Sequence, residues 1–448
     1  MEATNPVPPI EKIFQPFKAF AKVEASSGIV LIFCTIIALV WANSGFSESY
    51  TGLWHTNITI GIGNYNLSYN LHYWINDGLM AVFFFVVGLE IKREFLVGEL
   101  STAKQAALPA IAALGGMIIP ALIYTLFNLN GKGEAGWGIP MATDIAFVIG
   151  LMALLGSHVP SNLKIFITAL AIADDIGAVL VIAVFYTSEL SVSALLVAGG
   201  ILLILFVLNR LGVRNLLVYT VLGLFLWLAF LKSGIHATVA GVLFAFIVPA
   251  TARYNTKEFL MNGKDLLKEF DEQGKEGMNV LANEERQNIV QTLESNCAKV
   301  LTPLQRFEHN LNPWVSFVIM PVFALANAGV LLQENFFSAL INEISLGIIT
   351  GLFIGKQIGI FIFSWLAVKL NIAELPANVN WKQIYGTGIL AGIGFTMSLF
   401  ITNLAFTGEE LSNVAKVGIL SASLISGIAG YLLLRFSASR NIQKEVSV

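Results

Sequence analysis

Twelve stretches of mostly apolar residues, each close to the length that crosses a bilayer, run through this chain. A spanning helix needs about 20 such residues. The stretches lie near 26–43, 72–97, 105–127, 137–155, 162–187, 191–209, 215–231, 233–250, 312–334, 343–368, 382–405 and 413–436, and are numbered here as spans 1 to 12. Only Lys232 separates spans 7 and 8, so that pair could be one helix. The composition agrees: 56% of residues are hydrophobic and 12% charged, where a soluble domain carries about 25% charged residues. The 39 Gly suit packed membrane helices. The expected fold is an all-α polytopic membrane protein forming one domain over 1–448. The net charge of −3 speaks against nucleic acid or an acidic ligand as partner. Cys34 and Cys297 lie in unlike contexts and are read as neither disulfide nor metal ligands. Met1–Lys22 lacks the pattern of a cleaved signal peptide.

Lysine and arginine placement orients the spans. With both termini in the cytoplasm, 22 of the 26 Lys and Arg fall on the cytoplasmic side. Lys132, Lys232 and Lys416 fall outside, and Lys356 is left inside span 10. Two segments are not spans. Residues 56–71 alternate Ile58, Ile60, Ile62, then Gly63-Asn64, then Leu67, Tyr69, Leu71, which predicts a small extracytoplasmic β-hairpin. It is either an ordered loop or a dimer contact. Residues 251–309 form a polar cytoplasmic loop of short helix and flexible linker, without a catalytic constellation.

Spans 4 and 11 are rich in helix breakers. Span 4 reads Gly136-Trp137-Gly138-Ile139-Pro140, then Thr143-Asp144; span 11 carries Gly386, Gly388, Gly392, Gly394 and Thr396. They are the middle members of spans 3–5 and 10–12, which start on opposite sides and so form inverted repeats. Interrupted segments at matching places in two halves point to a midplane site in transporters. Close packing explains many glycines, but not Pro140 followed by a buried Thr143-Asp144.

A charge at a helix centre costs about 2.5–3.5 kcal/mol on insertion scales. Five stand among apolar neighbours: Asp77, Asp144, Asp174, Asp175 and Lys356. One Asp–Lys pair could be structural; four acids against one base cannot, and the excess needs protons or cations. Asp174 and Asp175 are adjacent on span 5 and point about 100° apart, so both can flank a cleft where spans 4 and 11 unwind. Carboxylates and freed carbonyls are hard ligands for a hard cation. A carboxylate out of water, or beside another, holds its proton more tightly. Protons and a cation competing for the same oxygens is already an exchange mechanism, electrogenic if two protons leave for one cation. Asp144 would offset half-helix N-termini and Lys356 the C-termini; Lys356 could also pair with an aspartate or carry a proton. Thr143 is a ligand or a cap. Glu90-Ile91-Lys92-Arg93-Glu94 reads as an interfacial anchor. His236 can report pH, although a lone histidine is more often simply hydrogen-bonded.

These motifs together resemble the NhaA family of bacterial sodium/proton antiporters. The resemblance rests on Trp74-Ile75-Asn76-Asp77, Gly88-Leu89-Glu90-Ile91-Lys92-Arg93-Glu94, Ala142-Thr143-Asp144, Ala173-Asp174-Asp175-Ile176-Gly177, Ser233-Gly234-Ile235-His236, Ala326-Asn327-Ala328-Gly329, Gly355-Lys356 and Gly392-Ile393-Gly394-Phe395-Thr396. This family is among those from which the interrupted-helix rule was drawn, so the two arguments are not independent. The resemblance implies twelve helices with discontinuous, crossing spans 4 and 11. It implies Na+ or Li+ at Asp174 and Asp175, supported by Asp144, Thr143 and Lys356, with no cofactor. It further implies pH-regulated, electrogenic Na+ extrusion across a bacterial inner membrane. Glu90, Arg93, Glu94, Glu308 and His309 resemble the family's pH-responsive funnel, and residues 56–71 its homodimer contact. Asn312, where the family often has a second histidine, and the long loop 251–309 depart from the pattern. A sodium-coupled symporter lacks an organic-substrate pocket in this sequence. An intramembrane aspartyl protease lacks a second acid-bearing helix of the required motif. A channel or purely structural role leaves the buried acids unexplained.

Overall fold

A computed structural model describes residues 26–62, 65–187, 190–252, 256–272, 283–331 and 336–445. Helices occupy all twelve predicted spans. Spans 2, 3, 5, 6 and 10 are Leu71–Val97, Ala103–Phe127, Ser161–Phe185, Val192–Arg210 and Glu343–Lys369. Spans 1, 7, 8 and 12 are Ser26–Ala42, Leu216–Leu231, Ala237–Ile247 and Glu409–Glu445. Span 9 runs over 303–327. Seven helices among the described residues are long and apolar enough to cross a membrane, and span 11 adds a pair bent by 47°. Phe33, Val40, Leu122, Val184, Leu203 and Leu424 are exposed, an apolar belt that water would not tolerate.

Spans 4 and 11 are interrupted. Span 4 is a 3-10 helix, Glu134–Met141, then extended backbone at 142–144, then the α-helix Ile145–Leu155. Pro140 closes the 3-10 turn; the break itself follows two residues later. Span 11 is Trp381–Leu390 and Phe395–Ala405, with Gly392 and Gly394 in the link. The two links cross: Asp144 N donates to Ile393 O at 2.7 Å.

Spans 3 and 10 hold this crossing from one side. Their backbones touch at Gly115 and Gly359, where a Cβ on either would overlap the other's backbone. Lipid gives helices no hydrophobic reason to associate, and small residues let dispersion and polar contacts do so.

Several predicted boundaries move. Spans 7 and 8 are separate helices, turned at Gly234 (φ 87°). Span 8 is shorter than 233–250, because the turn takes its start and Val248 and Pro249 end it. Span 9 begins at Pro303, ahead of the predicted 312, because Thr302 and Gln305 form a capping box. Spans 2, 9 and 10 contain π-helical turns at Trp74–Leu79, Val315–Ile319 and Thr350–Gly355.

The hairpin pairs Asn57–Ile62 (β1) with Tyr65–Asn70 (β2), antiparallel, in the register Ile58↔Tyr69 and Ile60↔Leu67. The predicted turn residues Gly63 and Asn64 lie outside the described residues, as do Met1–Lys22. Segment 251–309 contains the expected helix in two pieces, and residues 273–282 between them lie outside the described residues. Helices Thr256–Glu272 and Glu284–Val300 pack on each other, with the Arg286 guanidinium 4.7 Å from the Phe270 ring centroid. Both cysteines are free.

Candidate cation site at the crossed breaks

Span 5 carries Asp174 and Asp175 past the point where spans 4 and 11 lose their helical hydrogen bonds. Asp174 is 1% exposed, Asp175 4% and Lys356 0%. Asp174 Oδ2 lies 2.5 Å from Lys356 Nζ and 2.7 Å from Thr143 Oγ1. Thr143 Oγ1 is also 3.0 Å from Ala391 O. Its single proton serves only one of these acceptors at a time. Asp174 Oδ1 is buried without a hydrogen bond. Asp175 takes no part in these bonds, but lies within electrostatic reach of Asp174, Asp144 and Glu90.

Asp144 has a different task. Its Oδ1 accepts from Phe147 N at 3.2 Å, capping the inner half of span 4. Its Oδ2 accepts from Thr396 N at 3.0 Å and from the Thr396 hydroxyl. One carboxylate thus faces the N-termini of two half-helices, each carrying partial positive charge. The freed carbonyls at the opposite ends are met by Ser398 Oγ on Ile139 O, Asp144 N on Ile393 O and Thr143 Oγ1 on Ala391 O. Of the roles expected for Lys356, the structure shows the pairing with an aspartate, Asp174. Thr143 is not the cap; Asp144 is.

Asp77 does not join this cluster. It sits on the π turn of span 2, where His236 Nε2 lies 3.3 Å from its Oδ1. The other nitrogen, Nδ1, is 2.8 Å from Thr238 Oγ1. The cost of a buried charge does not depend on which neighbour compensates it, so the sequence marks Asp77 as buried without showing its partner. At the other end of span 2, Arg93 gathers three acids: it bonds Glu308, donates to Glu94 at 3.0 Å and lies 3.7 Å from Glu90. His309 is exposed and outside this network.

Thr396, which the sequence marks only as part of the glycine-rich motif of span 11, is the second side chain on Asp144. The signal available was a hydroxyl two residues beyond Gly394. No group of three or more His, Cys, Asp or Glu able to hold a metal is found among the described residues. The oxygens at hand are two carboxylates, the Thr143 hydroxyl and the Ala391 carbonyl, a set suited to a hard cation rather than a soft one.

The family model for Na+/H+ antiporter 1 matches residues 18–434. The chain is 51% identical over 427 residues to the Na(+)/H(+) antiporter NhaA of Oleidesulfovibrio alaskensis, covering 95% of each chain. It is 49% identical over 426 residues to that of Koribacter versatilis, covering 95% of this chain and 92% of the other. With that of Sulfurimonas denitrificans the identity is 50% over 432 residues, 96% and 97% of the two chains.

Proposed function

The chain belongs to the Na+/H+ antiporter 1 family, and from that premise we propose that it exchanges cytoplasmic Na+ or Li+ for external protons at Asp174 and Asp175. The observation that carries the reading is a charge count. Three buried carboxylates face one ammonium and two half-helix N-termini of about half a charge each. Asp174 is balanced by Lys356 and Asp144 by the N-termini. Asp175 is left over, so it must hold either a proton or a cation.

The exchange step follows. A cation entering between the two aspartates takes the proton's place on Asp175 and competes with Lys356 for Asp174. A displaced Lys356 ammonium, sealed from water and without its partner, gives up its proton. Two protons then leave for one cation, and the cycle moves net charge. Thr143 and the Ala391 carbonyl supply further oxygens, while Asp144 fixes the crossing that brings them together. The Arg93 cluster with Glu90 is the entry from the cytoplasmic side and the region where pH would act. The lysine and arginine distribution supports cytoplasmic termini in a bacterial inner membrane. The apolar face of the hairpin supports a homodimer.

Everted membrane vesicles with an acidic interior test this. Addition of Na+ or Li+ should release internal protons, and Asp174→Asn or Asp175→Asn should reduce that release to background. Undiminished exchange in both variants would overturn the site, and a response to K+ alone the selectivity.

A further inference from the structure

Asn327, at the hairpin-side end of span 9, is fully buried, and its amide is saturated. Nδ2 donates to Asn76 Oδ1 and to Phe323 O, both at 2.9 Å. Oδ1 accepts from His72 Nε2 at 3.0 Å and from Asn403 Nδ2 at 2.7 Å. An amide offers two donors and two oxygen lone pairs, and all four are used. Donation by Nε2 assigns the His72 tautomer, leaving Nδ1 to accept from Asn76 Nδ2 at 3.1 Å. These bonds join spans 2, 9 and 11.

Asn403 stands apart from the rest. It lies seven residues beyond Thr396 in Phe395–Ala405, about 10 Å along the helix and on the same face. One end of this rigid piece is held by Asp144, the other by Asn327. Between them Phe400 is buried, with ring centroids of Phe84 at 5.4 Å, His236 at 5.4 Å and Phe323 at 6.4 Å. The path from the aspartates to the hairpin side is thus closed by an aromatic layer and, beyond it, by the amides. On the opposite side a cavity of about 310 Å³ is lined by Phe166 and Ala169; Ala169 is five residues, about 7.5 Å, from Asp174 on span 5.

We propose that the Asn403–Asn327 hydrogen bond is the latch that keeps the hairpin side shut, with His72 and Asn76 positioning Asn327 to receive it. The proposal rests on the exchange reading above. A cation leaving on that side requires Phe395–Ala405 to part from spans 2 and 9. Among the described residues, Asn403 to Asn327 is the one hydrogen bond from this helix to either span. Parting breaks it and leaves the other bonds of Asn327 intact. Oδ1 keeps its His72 donor, so no buried group is stranded, and the latch can cycle.

The test uses the full chain with Cys34→Ser and Cys297→Ser, carrying Thr402→Cys or, as a second reporter, Ile401→Cys; both positions are buried on the same helix. A membrane-impermeant maleimide is added to the hairpin side of sealed vesicles. Asn403→Ala should speed labelling about fivefold, the population shift that loss of one hydrogen bond gives. Asn403→Gln, which keeps the donor, should label close to the parent rate. Asn403→Asp, which sets oxygen against oxygen, should label at least as fast as the alanine variant. Labelling unchanged by Asn403→Ala at both reporters overturns the latch, and so does equal acceleration by all three variants, which marks lost packing. Labelling needs no Na+ transport, so a failed latch leaves the exchange reading standing. Absence of exchange in the parent protein would sink that reading and leave the labelling result untouched.

Discussion

Lys356 and Asp174 form an ion pair from which water is excluded, and such pairs are far costlier to halve than to delete. Removing one partner of a buried pair costs about 3–5 kcal/mol, while removing both can be nearly neutral. Lys356→Ala should therefore lower stability by about 3 kcal/mol in thermal unfolding of the solubilised protein. The double variant with Asp174→Asn should recover at least half of that loss. Equal destabilisation of the single and double variants would show that the pair is not coupled as the geometry has it. At this scale the candidate site was legible wherever a residue carried full charge among apolar neighbours: Asp144, Asp174, Asp175 and Lys356 are all buried. Thr396 was not, because a hydroxyl in a helix bonds its own backbone at little cost and leaves no compositional mark. The partner of each charge was not legible either: Lys356 was left with more than one role, and Asp77 was given no partner.

The interruptions of spans 4 and 11 could be read from Pro140 and the glycines, because proline removes a donor and glycine weakens a helix. The π turns of spans 2, 9 and 10 could not. One inserted residue changes neither hydropathy nor length enough to register, although such turns gather at functional places; one bears Asp77 and another directly precedes Lys356. The crossing of spans 3 and 10 offers a test with an internal control. Gly359→Ala would drive a methyl into the Gly115 carbonyl, whereas Gly199→Ala on span 6 meets open space. The first should cost about 1–3 kcal/mol as overpacking and lower the yield of folded protein. The second should leave the unfolding temperature unchanged. Similar melting of the two variants would remove the close approach as a structural requirement.

Over the whole molecule, hydropathy predicted the helical architecture well, since it is a property of long segments that averages over local error. Segment 251–309 read as short helix and flexible linker; that its helices Thr256–Glu272 and Glu284–Val300 pack on each other is a pairing that no single-segment pattern reveals. The hairpin presents Ile58 and Ile60 to solvent, while its base is tied to span 2 by Trp74 Nε1 on Ile58 O at 3.2 Å and by Tyr69 stacked on Tyr73 at 4.3 Å. If that face joins two copies, Ile60→Lys should convert a dimer to a monomer in size-exclusion chromatography with light scattering, while Na+-driven proton release persists. A dimer that survives the substitution would place the contact elsewhere.

The meeting of Gly115 and Gly359 has a mechanical consequence. Two backbones in contact, with the Phe363 ring packed beside them and a second close approach at Gly355 and Pro120, leave little room for sliding but allow a small tilt. When one helix tilts by about 10° on the other, a point one helical turn from the pivot, 5.4 Å away, travels about 1 Å, while the ends of a 27-residue helix travel three to four times as far. Lys356 lies three residues from Gly359, close to the pivot. Tilting of these helices at the two membrane faces is therefore compatible with an almost stationary Lys356 ammonium.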